Sequence, residues 1–199
     1  MLPMLRLARI NNMAAPLRVL VALLAVVSIS LIRRTAATVT VEEACQQNTK
    51  VDAALCVKSL SAANPALKAA ALERGLPGLA ELSLSQTAQF AEETVTFLKG
   101  LSNMPGGMPP ECLKDCVGKF QEAVAELQRS KAAQEQGKDM AGVKASLSAA
   151  KTHGETCMHD CTRIEGGGEL QIVDKIGDLS KMCSIALSLT DASVGTRAA

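Results

Sequence analysis

Two cysteine pairs, each spaced i, i+4, stand in successive helix-forming stretches: Cys112 and Cys116 in "CLKDC", Cys157 and Cys161 in "CMHDC". A spacing of four puts both members on one helix face, one turn or about 6 Å apart. In neighbouring antiparallel helices, facing residues keep a constant index sum. That sum is the same for Cys112 with Cys161 as for Cys116 with Cys157, so two parallel disulfide rungs between two antiparallel helices satisfy the geometry. The crossed alternative, Cys112 with Cys157 and Cys116 with Cys161, requires a register slip of one turn. Each rung needs Cα atoms roughly 5.5 Å apart, closer than the usual helix spacing of about 8–10 Å, and small residues would permit that approach. Gly118, Ala123, Ala150 and Gly154 lie on or near the seam, and Ala123 falls opposite Ala150.

The rest of the chain supplies partners for this helix pair. From Leu79 to Leu101, Leu79, Leu82, Phe90, Phe97 and Leu101, widened by Ala80, Leu84, Ala91 and Leu98, mark one broad helical stripe. Gly100 and the loop "NMPGGMPP" end that helix, and Pro109 and Pro110 suit the first turn of the next. The second helix is expected from Pro110 to Ala133, with Leu113, Cys116, Val117, Phe120, Val124 and Leu127 on its apolar face. Gly137 marks a turn and Asp139 an N-cap. The third helix shows Val143, Leu147, Ala150, Gly154, Cys157, Cys161 and Ile164 in alternating steps of four and three, which hold one seam toward the neighbours. "EGGGE" interrupts it, and a last helix from Leu170 to Leu189 presents Ile172, Val173, Ile176, Leu179, Cys183, Ala186 and Leu187. Four long helices with short connections predict an all-α fold, an antiparallel four-helix bundle. Composition agrees: the hydrophobic share is mostly Ala, Leu and Val, with no Trp, no Tyr and only Phe90, Phe97 and Phe120.

The N-terminus follows a different logic. Arg6, Arg9 and Arg18 precede the apolar run "VLVALLAVVSISLI", with no acidic residue before Glu42. This reads as a secretory signal peptide over residues 1–37, cut after small residues near Ser28 and Ser30 or near Thr35 and Ala37, with Met1 or Met13 as the start. The run is shorter than the roughly 20 apolar residues of a membrane span, so the expectation is a secreted, extracellular product with no membrane association after cleavage. Residues 1–37 hold five of the 21 Lys and Arg and none of the 20 Asp and Glu, which leaves 16 against 20, a net −4. An acidic remainder without aromatic platforms is a poor match for nucleic acid or an anionic polysaccharide and points to a protein partner.

An oxidising compartment favours paired thiols, and all seven cysteines follow the apolar run. Cys45 and Cys56, in "CQQNTKVDAALC", are expected to close a short helical hairpin ahead of the bundle. Cys183, on the apolar seam of the last helix, reads as a small buried hydrophobe. Other functions find less support. His153, Cys157 and His159 suggest a thiol nucleophile with a base, but His159 points away from the face shared by the other two, no orienting carboxylate is evident, and Cys157 is needed for the bridge. Two C-x-x-x-C units could hold zinc, though secretion favours disulfides. No catalytic, metal or cofactor site is expected. A secreted helical lipid carrier would need an open apolar cavity where the pattern indicates filled seams.

Read in order, the chain from Val41 to Leu189 resembles the plant invertase and pectin methylesterase inhibitor family. "GLAELSLSQTAQFAEETVTFL" looks like that family's first bundle helix, "LKDCVGKFQEAVAEL" and "LSAAKTHGETC" like its second and third, and "CSIALSL" like the end of its last. The resemblance implies a disulfide-closed N-terminal hairpin before a four-helix bundle, over residues 38–195, with bridges at Cys45 and Cys56 and at Cys116 and Cys157. Cys112 and Cys161 depart from the family pattern, which usually has a small residue and Phe there, as does Asn48 where Thr is common. Small mitochondrial intermembrane-space chaperones resemble only the twin C-x-x-x-C helices and have a much closer spacing between units. The implied function is a secreted, monomeric inhibitor that occludes pectin methylesterase as its protein target, or invertase as the alternative. The short Pro, Lys, Phe stretch of some invertase inhibitors is absent. The polar faces of the second and third helices, with Lys119, Glu122, Glu126, Thr152 and Glu155, are the expected contact surface, because the disulfide ladder stiffens that pair and stiffness lowers the ordering cost of binding.

Overall fold

A computed structural model describes residues 39–50, 52–101, 109–136, 140–161 and 170–197. The expected signal peptide, the turn at Gly137 and Asp139, Ile164, "EGGGE" and the side chains of His159 and Cys161 lie outside the described residues.

Three short helices come first: α1 (Val41–Asn48), α2 (Ala53–Ala62) and α3 (Pro65–Glu73). Each is started by a side chain that satisfies an otherwise orphaned backbone N–H. Thr40 Oγ1 accepts from Glu43 N at 3.1 Å, Asp52 Oδ1 from Leu55 N at 2.8 Å, and Asn64 Oδ1 from Ala66 N at 2.9 Å, with Pro65 in the first turn of α3. The Cys45–Cys56 disulfide, with Cα atoms 5.7 Å apart, closes α1 onto α2. The sequence reading had the hairpin but not α3, although Asn64 followed by Pro65 is a start signal.

Gly75, at φ 65°, turns the chain from α3 into α4 (Leu76–Leu101), three residues earlier than the sequence reading placed the helix start. α5 (Pro110–Gln136), α6 (Met140–Cys161) and α7 (Leu170–Arg197) complete the bundle, with α7 eight residues longer than the apolar pattern indicated. Among the described residues there is no strand. The helices pack in a ring, α4 on α5, α5 on α6, α6 on α7 and α7 on α4.

One rule fills the interior. α4 turns inward Leu84, Ala88, Ala91, Val95 and Leu98; α6 Val143, Leu147, Ala150 and Cys157; α7 Ile172, Ile176, Leu179, Cys183 and Ala186. α5 adds Cys116, Phe120, Ala123 and Leu127 on the same alternation of fours and threes. Phe120, Leu127, Leu147 and Leu179 are fully buried, and burial of each such side chain contributes roughly 1.5–3 kcal/mol. The α4 stripe differs from the sequence reading, because Phe90 and Phe97 stay half-buried at its flank while Ala88, Ala91 and Val95 face inward between Leu84 and Leu98. Both rings lie under Lys175 of α7, whose Nζ is 5.0 Å and 5.8 Å from their centroids. Val173, expected inward, is 39% exposed.

A second core joins the short helices to one end of the bundle. Val41, Ala44, Leu60, Ala63 and Ala71 pack with Leu79, Ala80 and Leu82 of α4 and Ile185 and Leu189 of α7. At Gly78 the backbone of α3 comes so close that a Cβ would stand 2.2 Å from the Ala71 carbonyl oxygen.

Candidate partner-binding surface

The α5–α6 pair is drawn together by the Cys116–Cys157 disulfide, whose Cα atoms are 4.7 Å apart. Ala123 and Ala150, both fully buried, fill the seam below it. The two glycines expected there serve other neighbours: a Cβ at Gly118 would meet nothing, and one at Gly154 would meet Leu179 Cδ2 of α7 at 2.9 Å. Cys112 is buried and disulfide-bonded, while the side chain of its expected partner, Cys161, is outside the described residues. Cys157 has no thiol to act as a nucleophile, because its sulfur is bonded to Cys116. Cys183 is a free thiol in the core, and burial pushes its pKa up to about 12, so it holds its proton.

Across the outside of this seam, Glu122 is the centre of a small charge cluster. Its Oε2 accepts from Lys119 Nζ at 3.2 Å along α5 and lies 2.9 Å from His153 Nδ1 on α6. A shallow depression of about 430 Å³ on α5, lined by Glu111, Lys114, Asp115, Gly118, Lys119 and Glu122, adjoins it. Glu126, one turn on, is largely covered, 13% exposed, and is held by Arg129 at 2.8 Å. The other two expected contact residues are placed differently. Thr152 is exposed, its hydroxyl donating back to the Ser148 carbonyl at 3.0 Å. Glu155 turns to α7, where Ser180 Oγ donates to it at 2.8 Å, and Lys151 Nζ stands 3.9 Å away.

The five residues therefore do not form one patch: apart from the exposed Thr152, they divide between the two flanks of α6. Lys119 and Glu122 share the α5–α6 seam with His153, Glu126 lies one turn further along α5 against Arg129, and Glu155 belongs to the α6–α7 seam. The sequence reading did not include His153 in this surface, although its spacing of four from Cys157 already put it on the disulfide face. Equivalent polar links tie the other seams: Gln128 Nε2 donates to Glu92 Oε1 at 2.8 Å between α5 and α4, and Lys144 pairs with Asp191 between α6 and α7. Exposed pairs of this kind each contribute at most about 1 kcal/mol, so the cluster matters more as a patterned surface than as a source of stability.

Residues 39–189 match the family described as plant invertase/pectin methylesterase inhibitor. The chain belongs to that family. Two crystal structures share its fold. A mutant form of a pectin methylesterase inhibitor from Arabidopsis is 22% identical, with a TM-score of 0.58 over 74% of this chain and 92% of that one. A pectin methylesterase inhibitor from Arabidopsis thaliana is 21% identical, with a TM-score of 0.53 over 79% of this chain and 95% of that one. No curated protein matches the sequence. Within this inhibitor family the hairpin disulfide and the α5–α6 disulfide of this chain sit where the resemblance of its motifs placed them.

Proposed function

We propose that this chain is a secreted inhibitor of pectin methylesterase that acts by covering the enzyme with a rigid helical surface and carries no chemistry of its own. The observation that carries this reading is the family match over residues 39–189, supported by two solved pectin methylesterase inhibitors with the same fold. The contact surface of this proposal is the α5–α6 face around Lys119, Glu122 and Glu126, extended by Thr152 and Glu155. The disulfide between Cys116 and Cys157 supports the choice, because a preorganised face loses little conformational freedom on binding.

Secretion and removal of residues 1–37 belong to the same proposal. Disulfides at Cys45–Cys56 and Cys116–Cys157 suit an oxidising compartment, and among the described residues no helix is long and apolar enough to cross a membrane. The invertase alternative lies within the same family description. Titrating the purified chain, starting at residue 38, against a pectin methylesterase and an invertase decides between them. The expected result is stoichiometric loss of methylesterase activity with invertase unaffected. Loss of invertase activity alone would assign the alternative target, and loss of neither would end the inhibitor reading.

A further inference from the structure

On the side of the bundle formed by α4 and α7, the short helix α2 leaves a groove of about 470 Å³, within the usual range of small-ligand sites. Its apolar lining includes Leu55 of α2, Phe90 of α4 and Met182 of α7, and Met182 is 7% exposed. Three charged residues line it as well: Lys58, Glu93 and Asp178, a net charge of −1.

Asp178 is the unusual member. It is half-buried, and among the described residues no cation or hydrogen-bond donor pairs with it. The lysines of its own helix have other partners: Lys175 lies over Phe90 and Phe97, and Lys181 Nζ is 3.8 Å from Asp52, the N-cap of α2. Glu93 accepts from Gln89 at 2.8 Å through one oxygen. Lys58 is exposed at the hairpin side. A carboxylate partly withdrawn from water beside an apolar surface favours a cation that brings its own apolar body. Phe90 and Met182 offer apolar surface to the stem of such a cation.

We propose that the groove where Asp178 and Glu93 stand beside Leu55, Phe90 and Met182 binds a small linear organic cation, an alkylammonium or alkylguanidinium. The head group meets Asp178 and the alkyl stem lies along Phe90 and Met182. The site is independent of the inhibitory reading, because the α4–α7 seam and the α5–α6 seam are on opposite sides of the ring of helices.

The test is a titration of the ¹⁵N-labelled chain with hexylammonium, hexanol, hexanoate and a blocked Gly-Lys-Gly peptide, read from amide chemical shifts. Hexylammonium should shift amides of α2, α4 and α7 around the groove in a saturable way, hexanol and the peptide more weakly, and hexanoate not at all. Asp178→Asn should weaken hexylammonium binding about fivefold, the upper end for a partly exposed ion pair. Lys58→Glu, on an exposed position, should tighten it and so tests the charge argument even where Asp178→Asn disturbs the fold. The proposal is overturned if millimolar hexylammonium shifts no groove amide, if hexanol or the peptide binds as well, or if Lys58→Glu leaves the affinity unchanged.

Discussion

Single residues in this protein separate by what their missing or added atoms would meet. Gly78 and Gly154 both sit in helices and both have a close neighbour, yet the neighbours differ. A methyl at Gly78 would drive into the Ala71 carbonyl at 2.2 Å, which is backbone and cannot step aside. Gly78→Ala should therefore cost about 1–3 kcal/mol by overpacking, seen as a lower midpoint in urea unfolding. A methyl at Gly154 meets only the end of the Leu179 side chain at 2.9 Å. The gain in helix propensity from Gly to Ala, up to about 1 kcal/mol, offsets that adjustment, and Gly154→Ala should unfold within about 1 kcal/mol of the parent. Cys183 shows burial acting on chemistry. With its pKa raised from 9.0 to about 12, the folded thiol keeps its proton where the unfolded one has lost it. Stability from this group is thus complete below pH 9 and falls as the pH rises toward 12. Iodoacetamide at pH 8 should leave the native protein unlabelled at Cys183 and label it on denaturation without reductant; rapid native labelling would contradict its placement in the core.

At the scale of elements, the disulfide ladder is a proposal with one rung described and one expected. Cys116 and Cys157 are bonded, and Cys112 is bonded and buried. The index-sum reading makes Cys161 its partner. Non-reducing peptide mapping should recover a fragment linking Cys112 to Cys161, and a dominant Cys112 to Cys157 peptide would break the register. A second rung one turn from the first closes almost no additional loop, so it should add far less than the roughly 2–4 kcal/mol of an isolated bridge. Replacing Cys112 with Ala and Cys161 with Phe should lower Tm slightly, and removing Cys116 and Cys157 should lower it several times more. Equal losses would show that the outer rung is no mere duplicate.

For the whole molecule, the question is which face meets the target. Reversing Glu122, Glu126 and Glu155 together to Lys should weaken inhibition while helical circular dichroism stays nearly unchanged; Tm should fall modestly, because Glu126 is largely covered and held by Arg129, whereas the exposed pairs of Glu122 and Glu155 hold little stability. The division between the two flanks of α6 sharpens that experiment. Glu122→Lys alone disrupts the cluster with Lys119 and His153 on the α5–α6 seam, whereas Glu155→Lys alone touches the link to Ser180 on the α6–α7 seam. If the interface follows the α5–α6 seam, the first should account for most of the loss of the triple variant. A dominant effect of Glu155→Lys would move the interface toward α7, and full inhibition by the triple variant would remove it from both.

Much of this architecture is local, and local information is what a sequence carries. The fours and threes of Val143, Leu147, Ala150 and Cys157, the breaks at proline and glycine, and the cysteine spacings were enough to determine four long helices, their antiparallel order and the hairpin ahead of them. Which flank of a helix faces which neighbour is not local. The same α4 segment can bury Phe90 and Phe97 or Ala88, Ala91 and Val95. The tertiary structure turned Ala88, Ala91 and Val95 inward between Leu84 and Leu98 and left the rings at the edge under Lys175, because which side of a helix is covered depends on the neighbours the bundle brings to it. For the same reason Gly154 serves α7, Glu155 parts from Glu122, and Asp178 is left in a groove that exists only because α2 folds back beside α4 and α7.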